Sequence, residues 1–382
     1  MFQEILKDII TAAEFKEGDM LNPINKSYFS KPLSKDNFHA INLTGFSGLS
    51  TSSSPSSLFS TSPSSKLCFI DGGSAEIIKA PNLSMFFIRT YANITLNNKT
   101  IKDKKIEFYC IFKTKIKDEK IFYEVNFILN SDKANNNEYA KYLPDKEDLE
   151  LFSYDATIVS GENRAEISKL GDVVRRFAEL KMAKLMAETE LNADDIIILD
   201  GNLRATYTNE EKYLDALYGA ASKNNIIITA FCKTSNLLTE KGNNIISVLN
   251  HVAELNSIKG CWFYHPIVEI KDEKHRAEMM FVKLNTLSEY IFRYEMYAQQ
   301  FKLSPINVIL SILTLLALNS VDYSFPGYPY GLIKADTMAR VSNKEGEFLK
   351  TKILFSLESS SNFKDIRKSM NALNAHDILD RK

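Results

Sequence analysis

Cysteine and histidine are scarce in this 382-residue chain, and their spacing excludes most of the chemistry they serve. The four cysteines, Cys68, Cys110, Cys232 and Cys261, form no C-x-x-C pair. That argues against a zinc knuckle or a disulfide framework and makes a reducing, cytoplasmic setting the expectation. The five histidines form no H-x-H or H-E-x-x-H cluster, which leaves a zinc hydrolase unsupported. With no G-x-x-x-x-G-K-[ST] loop the chain is no P-loop motor, so an ATP-driven step would need a partner, and no G-x-S-x-G elbow is present. A net charge of −1 provides no global basic field; contact with nucleic acid would have to come from local Lys and Arg clusters. Unbroken apolar runs of membrane-spanning length are missing too. The opening MFQEILKDIITAAEF mixes acids into its apolar stripe and reads as an amphipathic helix, not a signal peptide. The stretch 304–321 is interrupted by Asn307, Ser311, Thr314 and Asn319, and reads as a buried core or dimer-interface helix instead of a membrane span.

What is present suits one main folded domain with appendages: 45% hydrophobic and 25% charged residues. Residues 1–43 read as a helical arm, and 44–66, rich in serine with Gly and Pro, as a flexible loop. The body, 67–342, opens on KLCFI, NLSMFFIRTYANITL, KIEFYCIFKTKI and KIFYEVNFIL, aromatic and β-branched runs separated by polar turns such as NNKTIKDK and KDE. Such spacing predicts an antiparallel meander. A long helix within 162–191 follows, then a fully apolar strand in DDIIILDGNLRA, a helix in EEKYLDALYGAASK and another buried strand in NIIITAFCKTS. Meander, helix, strand, helix, strand is the ribonuclease H-like order: an α/β mixed sheet in which parallel strands extend an antiparallel start. A small subsidiary β region is expected at about 247–300, and a helical tail over 343–382.

Asp71 in FIDGGSAEI and Asp200 in IIILDGNLRA each follow an apolar strand and precede a glycine. Either alone is an ordinary Asp-Gly turn signal. Together they would sit side by side at the carboxyl edge of the sheet, where open α/β sheets bind ligands, and buried carboxylates need a counter-charge or a metal. Glu179, in RRFAEL, is the candidate on the long helix, with Glu162 and Glu166 as competitors. In FPGYPYGLIKADTMARVS the Pro and Gly residues set a stiff turn presenting Tyr328 and Tyr330, and a helix then carries Asp336. A tyrosine so placed could stack on a base or bond a phosphate, or simply pack in the core. Three or four carboxylates suit Mg²⁺ or Mn²⁺; two ions about 4 Å apart would flank a phosphodiester. Lys233 at the end of its strand, with Arg204, would contact phosphate.

These motifs, in this order, resemble the NurA family of DNA double-strand-break repair nucleases, over roughly 67–345, with AHDILD as a possible extension. The resemblance implies a Mn²⁺-dependent (or Mg²⁺-dependent) DNA nuclease, with 5′–3′ exonuclease and single-strand endonuclease activity, that resects DNA ends as a homodimer alongside the HerA hexameric ATPase. Carried over by motif, Asp71, Glu179, Asp200 and Asp336 would hold the metal with Tyr328 beside them. Lys233, Arg204, Arg176 and Tyr330 are the candidates, read from the residues themselves, for contact with DNA or its phosphates. Two rivals stand beside it: a sugar- or acetate-kinase-like phosphotransferase, whose D-G-G-S loop holds ATP phosphates, and a non-catalytic nucleic-acid or ATPase adaptor.

Overall fold

A computed structural model describes residues 20–22, 26–43, 64–129, 136–358 and 368. The helix expected at the amino terminus, most of the serine-rich loop, the far end of the tail and AHDILD lie outside them. The described part of the arm holds strands β1 (Tyr28–Ser30) and β2 (Phe38–Ile41), with one short 3-10 turn, Lys35–Asn37, between them and no α-helix. Pro32 between them cannot continue a helix, and their aromatic and β-branched residues find partners far along the chain.

The meander is built from β3 (Leu67–Ala80), β4 (Leu83–Leu96), β5 (Lys99–Lys117) and β6 (Lys120–Leu129), followed by the short β7 (Leu151–Phe152). Its turns are tighter than expected. Asn97–Asn98 and Asp118–Glu119 all have positive φ, as two-residue hairpin loops of the primed type require. The polar KTIKDK is therefore strand, not turn. After a short helix α1 (Asn136–Ala140) come α2 (Leu170–Thr189), β8 (Ile196–Asp200), α3 (Glu210–Asn224) and β9 (Ile227–Cys232). Strand β8 lies parallel to both β3 and β9, so the order β5-β4-β3-β8-β9 is the expected ribonuclease H-like core.

The expected subsidiary β region divides between two sheets, a small separate one of two strands and the main one. Helix α4 (Ile245–Leu255) is followed by β10 (Cys261–Tyr264), β11 (Val268–Ile270), β12 (Ala277–Lys283) and β13 (Phe292–Tyr297). Strand β13 pairs antiparallel with β9, and β12, β10 and β2 follow outward, giving one 11-stranded sheet. Periodicity shows that a segment is a strand but not which edge it joins, so the joining of β10, β12 and β13 to the main sheet could not be read from the sequence. Strand β11 pairs with β1 instead.

Helices α5 (Ala298–Leu303), α6 (Ile306–Asn319), α7 (Tyr330–Ala339) and α8 (Asn343–Leu357) complete the described chain. Alternate residues of β3 and β8 face opposite ways. Cys68, Ile70, Ile197 and Leu199 pack with α2 and α3, whereas Leu67, Phe69, Ile196 and Ile198 pack with α6 and α7. The polar breaks in α6 have local uses: Ser311 and Thr314 bond carbonyls one turn back, and Asn319 joins Asn98 to the backbone N–H of Gly331. No helix among the described residues is long and apolar enough to cross a membrane.

A buried polar cluster ties the arm to the sheet. Tyr28 Oη lies 2.5 Å from His275 Nδ1, and His275 Nε2 lies 3.0 Å from Glu295, which also accepts the N–H of Leu203 and pairs with Arg293. Burial pushes the Glu295 carboxyl up, but His275 and Arg293 prevail and bring it down to about 2. A carboxyl depressed in the folded state stabilises the fold above its unfolded value, near 4.3, and loses that contribution as pH falls toward 2. Thermal melting should show this loss between about pH 4.5 and 2. In Glu295→Gln the neutral amide leaves Arg293 without its buried counter-charge, so melting at pH 7 should reveal a loss of roughly 3–5 kcal/mol. The acid-side slope should shrink in the same variant; an unchanged slope would place the titration elsewhere.

Candidate active site

The parallel register of β3 on β8 runs from Leu67 opposite Ile196 to Ile70 opposite Leu199. One further step brings Asp71 level with Asp200, where β8 ends. Strand β3 does not end there, because β4 continues to pair with it to Ala80, so FIDGGSAEI is a strand and not an Asp-Gly turn. Carboxylate oxygens of Asp71, Asp200 and Asp336 all lie within 4.8 Å of one another. Three elements remote in sequence thus converge: the first core strand, the first parallel strand and α7.

The two glycines after Asp71 explain how. A Cβ on Gly72 would lie 2.6 Å from Oε1 of Glu179, and one on Gly73 would lie 2.2 Å from the carbonyl oxygen of Ala339. Successive strand residues face opposite ways. Gly72 therefore admits Glu179 of α2 on one face, and Gly73 admits the end of α7, three residues past Asp336, on the other. The glycines bring both helices onto the strand, a role different from clearing a path for a substrate. Arg89 supports the same end of α7: it donates to the carbonyl of Arg340 and pairs with Glu107 and Glu345.

Glu179 is buried but is not one of the three grouped carboxylates. It pairs with Arg175 (3.1 Å) and Arg176 (3.8 Å) one turn earlier. Glu162 and Glu166 are exposed and precede α2, so neither competes for its position. Arg176 is committed to structure: its side chain bonds Glu210 and the carbonyl of Asn202. Arg204 lines the neighbouring clefts and reaches Asp272 at 3.5 Å. Tyr330 is exposed at the start of α7, whereas Tyr328 is buried among Phe231, Phe292 and Phe325. The Tyr328 hydroxyl is buried with no hydrogen-bond partner, and burial plus the charges of Asp200, Asp71 and Asp336 push its pKa up.

Lys233 is the cation that bridges two of the three carboxylates, and Arg340 pairs with Asp336 from one turn further on. The Lys233 Nζ lies 2.6 Å from Asp200 and 2.7 Å from Asp336, and 5.9 Å from the centre of the Tyr328 ring. Burial pushes the Asp71 carboxyl up to about 8, with Asp200 and Glu179 adding to the shift and Lys233 and the Gly72 N–H opposing it. Asp336 is held below the usual range: burial works against this, but Lys233 and Arg340 outweigh it. The Lys233 ammonium and the Arg340 guanidinium set two positive charges against three carboxylates, and a divalent cation would supply the missing charge. All donors are carboxylate oxygens, the set preferred by Mg²⁺ and Mn²⁺. The orphaned hydroxyl of Tyr328 also lacks a partner that a bound oxygen ligand would supply. The residues present therefore fit a divalent metal.

Of these features, sequence reading missed the support given by Arg89 and the closeness of Arg175 to Gly72. A buried arginine within the strand NLSMFFIRTYANITL was the available signal for the former.

The NurA domain family model matches residues 65–341. No curated protein matches the chain. Among solved structures it is similar to Ciona intestinalis endonuclease V in complex with DNA, at 9% identity and a TM-score of 0.36, covering 72% of this chain and 84% of that one. It is similar also to the catalytic domain of human endonuclease V, at 9% identity and a TM-score of 0.36, covering 78% and 92%. Argonaute from A. aeolicus follows at 10% identity and a TM-score of 0.30, covering 74% and 29%. These likenesses are too distant to carry chemistry over.

Proposed function

The chain belongs to the NurA domain family, and from that membership and its acidic site we propose that it is a divalent-metal-dependent DNA nuclease. The observation that carries the reading is the meeting of Asp71, Asp200 and Asp336 within 4.8 Å at the carboxyl edge of the sheet. Mn²⁺ or Mg²⁺, in one or two ions, would be held by these three, with Glu179 behind them. When bound, the metal supplies an activated water and charge stabilisation for phosphodiester hydrolysis.

The chain's own residues have definable tasks. Lys233, paired with two of the carboxylates, stands where its ammonium would contact the scissile phosphate. Tyr328 donates its free hydroxyl to a phosphate oxygen. The Phe cluster around its ring keeps water from the back of the site. Within this reading the chain resects DNA ends, with 5′–3′ exonuclease and single-strand endonuclease activity, as a homodimer with a HerA-type ATPase. The lack of a P-loop in the sequence fits an ATPase supplied in trans.

The kinase-like rival is disfavoured by β3. Its D-G-G-S segment runs straight on as strand to Ala80, so no phosphate-cradling turn forms there. The direct test is cleavage of linear DNA by the purified chain. Digestion is expected in Mn²⁺, with complete loss on EDTA treatment and recovery when Mn²⁺ is restored. Firm DNA binding without cutting in Mn²⁺ or Mg²⁺ would favour the adaptor instead.

A further inference from the structure

A cavity of about 470 Å³ opens next to the carboxylate cluster, between the arm, the loop after β8 and the loop after β9. Asn202 and Arg204 line both this cavity and the neighbouring cleft that holds Glu179 and Asp200. Thr234, also on its wall, directly follows Lys233. We infer that this cavity is a subsite for a single unpaired nucleotide of the strand being cut, its phosphate held by Arg204 and Arg293. The inference rests on the nuclease reading for its place in the reaction.

The chemistry of the wall supports an anionic ligand. Nε of Arg204 is buried with no hydrogen-bond partner, and its terminal nitrogen has only the 3.5 Å contact with Asp272. Arg293 uses its Nε for Cys232 and Glu295, at 3.3 and 3.2 Å, which leaves its two terminal nitrogens for the cavity it lines. The counter-charge on Glu295 is wholly buried and shared with His275, so it steadies the guanidinium without occupying the cavity. Two guanidinium groups converging on one space suit a phosphate, which they can bond in pairs.

The remaining groups suit a base. Asn22 and Asn236 stand exposed at the rim, each amide able both to donate and to accept at a base edge, and Asn202 lies deeper, its Oδ1 accepting the N–H of Arg204 and its Nδ2 left to donate. The volume falls within the range of about 300–1,000 Å³ typical of small-ligand sites. A base stacked and paired in duplex cannot enter such a space, whereas a splayed base of a single strand can. The cavity would therefore favour cutting next to unpaired nucleotides.

Calorimetry on the full chain in EDTA, with thymidine 5′-monophosphate and with thymidine, tests this without relying on cleavage. The monophosphate should bind at least about tenfold more tightly than the nucleoside. Arg204→Gln and Asn236→Asp should each weaken it about tenfold, whereas Asp71→Asn should bind it as the unaltered chain does. Asn236 is exposed, so its variant keeps the test available if Arg204→Gln melts early. The subsite is overturned by no binding at millimolar monophosphate, by equal binding of thymidine, or by unchanged affinity in the folded variants. Loss of binding in Asp71→Asn would overturn it as well, by moving the phosphate to the carboxylates. Cutting of linear DNA in Mn²⁺, measured in parallel, separates the two readings: a chain that cuts but binds no monophosphate loses only the subsite. One that binds it through Arg204 yet never cuts loses the nuclease reading, and the cavity remains a nucleotide site.

Discussion

Asp71→Asn is expected to lower cleavage of linear DNA in Mn²⁺ by roughly 10⁴-fold or more while leaving the fold intact. Asp71 is 7% exposed, and its neighbours Asp200 and Glu179 make its charge unfavourable when no cation is present. Asparagine keeps the shape and can still accept the N–H of Gly72, which Asp71 Oδ1 now accepts at 2.7 Å. It cannot supply a charged ligand. Removing a repelling carboxylate should raise the melting temperature of the metal-free protein, as expected where a site is held in place at the expense of stability. Two measurements settle the matter, a melting curve in EDTA and a digestion gel in Mn²⁺. Cutting at the unaltered rate would sink the assignment of Asp71, and a lower melting temperature with lost cutting would mark it as a structural residue.

Gly73→Ala should damage both stability and activity through a single atom. The added methyl would stand 2.2 Å from the Ala339 carbonyl oxygen, 2.9 Å from its carbon and 3.2 Å from the Cα of Arg340. All three are backbone atoms, so the end of α7 must move away from β3. Overpacking of this kind costs about 1–3 kcal/mol, sometimes more. Arg89, anchored to the carbonyl of Arg340, resists the shift. Because Asp336 lies on the displaced turn, a displacement of about 1 Å would cost about a hundredfold in rate. Gly72→Ala should be milder in stability, since its methyl meets the movable side chain of Glu179. Gly219→Ala on α3, with open space around the new methyl, is the control and should melt no lower than the parent. If Gly73→Ala behaved like Gly219→Ala, the close seating of α7 on β3 would be wrong.

The core order could be read because each of its elements carries a local signal: aromatic alternation in the meander, unbroken IIIL and IIIT runs in the parallel strands, and helix formers between. Pairing partners were not legible. Nothing local in FHAI announces that residues 38–41 will pair with 261–264, and β13 gives no hint that it will join β9. The D-G-G segment misled for a related reason. Its turn propensity is local, whereas its extended conformation is imposed by β4 alongside. The acids themselves were visible as charges at the ends of apolar runs. That Asp336 lies with Asp71 and Asp200 follows from packing, through a glycine whose need is visible only once Ala339 is in place. The buried position of Tyr328 beside the exposed Tyr330 likewise depends on which aromatic residue meets Phe231.

The seating of α7 also has a consequence for how the chain is made. Two of the carboxylates, Asp71 and Asp200, leave the ribosome before α7 is made, on strands β3 and β8 that pair with each other. The third lies on a helix, Tyr330–Ala339, that emerges long after them. A nascent polypeptide can therefore assemble much of its sheet, with Asp71 and Asp200 side by side, before Asp336 joins them. Translation itself acts as a delay, and a prematurely terminated product ending before Tyr330 would lack the third carboxylate of the proposed metal site.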